Sequence, residues 1–288
     1  MSSVAGSGFR VIDVHTHIGC YRDLVSSDPS WSKVTLEALV SYLDGCDGAG
    51  AVVLPVYSWN VDLMPTEYVL EACSRYPGRL IPFCVVDVRE VCLKERVTRY
   101  VDMGARGFGE HTSKIPVDHE RNLRLYRLCG RLGIPLLIHV AHSRASTYGM
   151  LDTPDLRGLE KVVREYSDVD FIMHGPGWWR CISENFDPNV EYPEGPIDSP
   201  GRAVYLLENY ENVYGDLSAY SGFNALNRDP GFARRFLERL SRKLLYGTDL
   251  EGFFEPEKSH LALLKSLNLT DSTLENILHR NIERLLKA

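Results

Sequence analysis

Short apolar runs recur along the chain at nearly regular intervals: Val11–Val14, Ala51–Val56, Leu80–Val86, Ala105–Gly109, Pro135–Val140, Val169–Met173, Asn212–Leu217 and Lys243–Tyr246. Their apolar residues are continuous rather than alternating with polar ones, the mark of strands covered on both faces. Between most of them the period changes. Leu36, Leu39, Val40 and Leu43 in Thr35–Cys46 fall at helical spacing, and Leu93–Met103, Glu120–Leu132, Gly158–Tyr166, Gly201–Tyr210, Pro230–Leu240 and Glu257–Leu267 read alike. A last helix over Ser272–Leu286 carries a stripe of Leu274, Ile277, Leu278, Ile282 and Leu285, with Ser272 and Glu275 spaced as a capping box.

Strand–helix alternation predicts a parallel α/β sheet, and eight strands predict a closed (β/α)8 TIM barrel. Such a barrel takes about 250 residues as one domain. The expectation is a single domain over residues 9–288 behind a small polar tail, residues 1–8. No Gly-x-Gly-x-x-Gly follows the first strand, so a dinucleotide-binding sheet lacks its main signal. Two connections are long: Ile18–Val34 after the first strand, and Pro176–Pro200 after the sixth. Loops of that length without periodicity serve as lids or binding loops.

Composition narrows the function. The net charge of −7, without a Lys/Arg cluster, argues against nucleic acid as a partner. No apolar run approaches the ~18 residues that span a membrane. The start, Met1–Gly8, lacks the apolar segment of a secretory signal. The seven cysteines form no Cys-x-x-Cys pair, which points to a reducing, cytoplasmic location and to Cys20 as a structural thiol. The expected partner is a small-molecule substrate, and a homodimer is open.

The chemistry sits at the strand ends. His15 and His17 lie two apart on the first strand and project to one face. Glu110 ends the fourth strand, His139 the fifth, His174 the sixth and Asp249 the eighth. Barrel active sites are built at this carboxyl end. Burying so many polar groups is costly without a partner, and a cation supplies one. Zinc suits the imidazoles, while manganese or iron also suits the carboxylates. On the same rim, Arg144 can clamp a carboxylate or phosphate beside His142, and Trp178 and Trp179 can wall a pocket. Asp216 and Ser218 either touch substrate or cap the next segment. His111 and Lys114 can support the ligands, Asp13 reads as structural, and His119, His260 and His279 read as helix-surface residues.

The chain resembles the amidohydrolase superfamily of metal-dependent barrels, from Val11 to the final helix. The resemblance rests on His15-x-His17, His139, His174 and Asp249 after strands one, five, six and eight. Tyr246-Gly247-Thr248-Asp249 and Asn276-Ile277-Leu278-His279-Arg280-Asn281 are similar to the amidohydrolase-related branch, which includes the aminocarboxymuconate-semialdehyde decarboxylase-like enzymes. Many binuclear members place a carboxylated lysine after strand four; here Glu110 stands there, similar to TatD-type deoxyribonucleases. If Glu110 bridges, two divalent ions fit, one on His15, His17 and Asp249 and one on His139 and His174. If it turns away, a single ion on His15, His17, His139 and Asp249 leaves His174 as acid or base. The two-ion form is preferred, because Glu110 otherwise lacks a partner.

These residues imply a hydrolase of a small amide, lactone or ester. A divalent cation lowers the pKa of bound water to ~7. Asp249 is the proton shuttle, and His174 orients substrate or steadies the oxyanion. The alternative is a non-oxidative decarboxylase of an aromatic or enol carboxylic acid. A non-catalytic metal-binding barrel is a third reading.

Overall fold

The computed structural model describes residues 8–19, 34–45, 50–58, 61–141, 143–146, 149–249 and 259–286. The expected tail (except Gly8), Cys20, His142 and most of the loop after the first strand lie outside them.

Strand β1 (Ile12–Thr16) leads to α1 (Leu36–Asp44) and β2 (Gly50–Val53). A hairpin of β3 (Val56–Ser58) and β4 (Val61–Met64) precedes α2 (Thr66–Ser74) and β5 (Leu80–Pro82). Then follow α3 (Leu93–Asp102), β6 (Phe108–His111), α4 (Glu120–Leu132), β7 (Leu136–His139), α5 (Arg157–Glu165) and β8 (Phe171–His174). The chain continues through α6 (Pro176–Trp179), α7 (Arg202–Asn209), β9 (Val213–Asp216), α8 (Ala219–Asn227), α9 (Pro230–Arg239) and β10 (Leu244–Leu245). It ends with α10 (His260–Ser266), α11 (Asp271–Glu275), a π turn over Asn276–Arg280, and α12 (Asn281–Leu285).

The strands form two parallel sheets, β1-β2-β5 and β10-β9-β8-β7-β6. Backbone hydrogen bonds join them at both seams. Cys84 N donates to Gly107 O and accepts from Gly109 N through its own carbonyl, each at 2.9 Å. Val14 N donates to Tyr246 O at 2.9 Å, and Asp249 N to His15 O at 2.8 Å. The eight strands that the apolar runs predict thus make a TIM barrel.

Alternation along each strand sorts the apolar side chains. Ile12, Val14, Val52, Leu54, Phe83, Leu137, Ile172, Tyr214 and Leu245 pack together inside the barrel, with Ile282 and Leu285 of α12. Their sequence neighbours pack outward against the helices. No described helix is long and apolar enough to cross a membrane.

Besides the hairpin and α2, which the sequence pattern does not mark, the structure departs from that pattern in three places. The closing helix starts at Thr270, whose Oγ1 accepts from Thr273 N, not at Ser272. Glu238 of α9 explains the shift, since its carboxylate takes Thr270 N at 2.7 Å and Thr273 Oγ1 at 2.5 Å. Helix α8 escapes the periodicity because Ser, Gly and Asn interrupt it. Gly222 is required there, for a Cβ would lie 2.2 Å from Leu217 O. Finally, the segment after β8 does not open as a loop. Pro176–Ile182 is helical and buried, and only the stretch from Ser183 to Pro200, paired at its two ends, is irregular.

Asn281 is wholly buried and donates to Ser241 O and Leu244 O, both at 2.7 Å, tying the closing helix to β10. Asn281→Leu keeps the volume and strands two carbonyls. Urea unfolding is expected to show a loss of about 2–4 kcal/mol.

Candidate metal centre

Six side chains converge at the carboxyl end of the strands. Three overlapping trios each bring one donor atom apiece within 4.8 Å of one another: His15, His17 and Glu110; His15, His174 and Asp249; and Glu110, His139 and His174. The His15 and His174 rings lie 4.3 Å apart between centroids, and His139 and His174 5.0 Å.

Simple alternation aims some of these residues. Leu137 and Ile172 face the barrel interior, so His139 and His174 two positions later do too. The same parity turns Asp216 inward behind Tyr214. It would turn His15, His17 and Glu110 outward. In β1 the three steps from Asp13 to Thr16 pair with two steps of β2, and in β6 the three steps from Phe108 to His111 pair with two of β7. One extra residue in each strand flips the parity, and a β-bulge re-aims side chains in this way. His15, His17 and Glu110 therefore enter the barrel. His111 is turned out, where its Nε2 donates to Asn122 Oδ1 at 3.0 Å.

The family model for Amidohydrolase matches residues 12–288. The chain belongs to the amidohydrolase family. No functionally curated protein matches it. Among solved structures it is similar to a probable 2-pyrone-4,6-dicarboxylic acid hydrolase from Acinetobacter baumannii, with 16% identity, TM-score 0.66, and coverage of 97% of this chain and 100% of that one. It is also similar to a 5-carboxyvanillate decarboxylase from Novosphingobium aromaticivorans with bound manganese (14%, TM-score 0.66, 98% of each chain). A 2,6-dihydroxybenzoate decarboxylase from Rhizobium shares 13% identity at TM-score 0.62, over 97% of this chain and 99% of that one. Likeness at these identities is likeness of fold.

In this amidohydrolase the imidazoles are oriented from behind. His15 Nδ1 donates to Asp216 Oδ2 at 2.7 Å, and His17 Nδ1 to Leu54 O at 3.0 Å. The Ser218 hydroxyl donates to Asp216 Oδ2 at 2.8 Å, so its oxygen accepts from His174 Nδ1 at 2.9 Å. Each ring is fixed with Nδ1 protonated and Nε2 as the available donor. The Nε2 of His15 is buried without a hydrogen-bond partner, with Asp249 Oδ1 3.6 Å away. His17 Nε2 lies 3.3 Å from the same oxygen. His139 Nδ1 donates to Glu110 Oε1 at 2.7 Å, and His174 Nε2 stands 3.8 Å from that oxygen.

The electrostatics ask for positive charge. Burial alone would strip His15 of its proton, but Asp249 and Asp216, with Glu110, outweigh it and push its pKa up to about 10. Burial opposes ionisation of Glu110, yet His139, with His15 and His174, holds it down at about 2. Asp216 and Asp249 are likewise held well below the usual carboxylate range, against burial, by the imidazoles. A proton on His15 Nε2 would lack an acceptor, whereas a cation would use its lone pair. Imidazole and carboxylate donors of this kind fit a divalent transition metal.

Backbone placement completes the site. Asp249 takes a left-handed conformation, φ 54°, which Asp tolerates better than most residues. The preceding turn is pinned to β1 by Asp13, which accepts from Thr248 N at 3.0 Å, Thr248 Oγ1 at 2.6 Å and His15 N at 3.1 Å. Asp13 is structural, as its position predicts. Gly247 cannot carry a side chain, because a Cβ would lie 2.6 Å from Asp216 Oδ1.

Other candidates lie elsewhere. Trp178 and Trp179 are buried. Trp179 Nε1 donates to Asp216 O at 2.7 Å, and its ring packs edge-on against Phe236. Arg144 is exposed and lines a groove of about 480 Å³ with Asp118, Arg157 and Lys161, apart from the six residues. His260 is not on the surface but half-buried against α8. Asp216 holds the His15 and His174 imidazoles and also caps the start of the next segment, accepting from Ser218 N at 3.0 Å. It ends a strand as the other site residues do, and that signal could have placed it among them.

Asp216→Asn is expected to weaken divalent-cation affinity about 10–100-fold, measured by chelator competition. His111 gives a separate signal. Burial holds its pKa down at about 4, so below pH ~6.5 the unfolded chain takes up a proton that the folded one refuses. Stability is lost as pH falls through that window. Between pH 6.5 and 5 urea unfolding of the wild type should lose about 1–2 kcal/mol more than that of His111→Gln.

Proposed function

We propose that this amidohydrolase is a hydrolase of a small molecule, cleaving an amide, lactone or ester bond with two divalent cations, zinc first and manganese or iron as substitutes. The observation that carries this reading is the position of Glu110. Its carboxylate is paired with His139 and near His174, and it also shares a donor trio with His15 and His17. A carboxylate common to two imidazole pairs suits two cations, one on His15, His17 and Asp249 and one on His139 and His174. Divalent cations bound there would polarise the substrate's carbonyl oxygen and acidify water.

The protein supplies the proton path. The Asp249 side chain is partly open, 17% exposed, with Oδ1 facing His17 and His15. It takes a proton from the attacking water as the new C–O bond forms. It returns that proton to the leaving nitrogen or oxygen as the scissile bond breaks. His174, locked through Nδ1 on Ser218 and Asp216, keeps its Nε2 lone pair on the reacting side for the second cation.

A non-oxidative decarboxylase is the second reading, favoured by the likeness to the manganese-bound 5-carboxyvanillate decarboxylase. In it Asp249 delivers a proton to the carbon that loses carbon dioxide.

Elemental analysis of protein loaded with metal is expected to give two cations per chain, and one in Glu110→Gln. A panel of lactones, amides and esters is expected to show turnover that falls about 10²–10⁴-fold in Asp249→Asn. One cation per wild-type chain, with carbon dioxide release from an aromatic acid and no hydrolysis, would replace the first reading by the second.

A further inference from the structure

The turn after β9 holds the metal centre together, and something must hold the turn. Directly after Ser218, Ala219 takes a left-handed conformation, φ 57°, which an L-residue with a Cβ resists. This residue opens α8 and decides where Ser218 stands. Ser218 in turn places its hydroxyl between His174 Nδ1 and Asp216 Oδ2, and its N–H on Asp216 Oδ1 at 3.0 Å.

Two contacts from the segment after β10 fix Ala219. Its N–H donates to Thr248 O at 3.3 Å. Its carbonyl accepts from His260 Nε2 at 2.8 Å. His260 is the first residue of α10, placed there by Ser259, whose Oγ caps the helix on Ala262 N at 3.0 Å. Its ring packs edge-on against Phe223 of α8, with centroids 5.7 Å apart. Burial lowers the basicity of this imidazole and favours the neutral ring, which has one N–H to give.

The geometry points to His260 as a positioning residue of the metal centre. Through the Ala219 carbonyl it fixes Ser218, and through Ser218 it holds the His174 and His15 imidazoles on Asp216. The inference rests on the reading that these histidines hold cations, but not on which bond is cleaved.

The test compares metal-free full-length wild type, His260→Phe and His260→Gln, each titrated with zinc against a chelator and each unfolded thermally without metal. Phenylalanine keeps a ring against Phe223 and loses the donor. Glutamine sets an amide N–H near the position of Nε2. Zinc affinity is expected to fall about 10-fold in His260→Phe and to stay within about threefold of wild type in His260→Gln. An unchanged affinity in His260→Phe, or a Gln variant that falls as far as Phe, overturns the proposal. So does a Phe variant in which unfolding shifts while affinity does not. Wild type that binds zinc yet hydrolyses no amide, lactone or ester overturns the hydrolytic reading alone. Wild type that binds no cation overturns both.

Discussion

The mouth of the barrel is organised around a carboxylate with no access to water. Asp216 is fully buried, and withdrawing such a charge from water costs several kcal/mol unless it is paired and hydrogen-bonded. It meets His15 Nδ1, His174 Nδ1, and the hydroxyl and N–H of Ser218. Strands β1 and β9 are not neighbours, since β10 lies between them, so the His15 contact crosses the interior of the barrel. One buried anion thus sets the distance between elements far apart in sequence. It also dictates which ring nitrogen each of the two imidazoles turns outward. Trp179 anchors the same residue from the helix side through its carbonyl.

Much of this was legible in the chain, and the gaps have physical causes. The eight continuous apolar runs marked the strands because burial on both faces leaves little choice of residue. The metal-capable residues were visible as polar ends on apolar strands. What the pattern hid was parity. Read with strict alternation from Ile12 and Val14, His15 belongs outside the barrel, and read from Phe108, so does Glu110. The extra residue in β1 and in β6 cannot be seen in a single strand, because it exists only relative to the partner's register. The true start of the last helix was hidden for a similar reason: Glu238, which fixes Thr270, comes from another helix. Tryptophans opening a Pro- and Gly-rich segment suggested a lid, and became core once Pro176–Ile182 packed down as helix.

The fold by itself does not choose the reaction. Hydrolase and decarboxylase barrels are similar to this chain to nearly the same degree. What distinguishes chemistries on one scaffold is the few side chains at the strand ends and their charge state. Here those side chains are three carboxylates, Glu110, Asp216 and Asp249, beside four imidazoles, and their charge state is a property of these residues rather than of the barrel.

The seam between the first and last strands has a bearing on how the molecule comes into being. Val14 and His15 are bonded to Tyr246 and Asp249, and Tyr246 N is in turn satisfied by Ile277 O of the closing π turn. A ribosome delivers β1 early and these partners only after more than two hundred further residues. Throughout that interval one edge of β1 has no native neighbour, and unpaired edges invite pairing with other chains. The six candidate donors likewise span that interval, and the set from His15 to Asp249 is complete only after it.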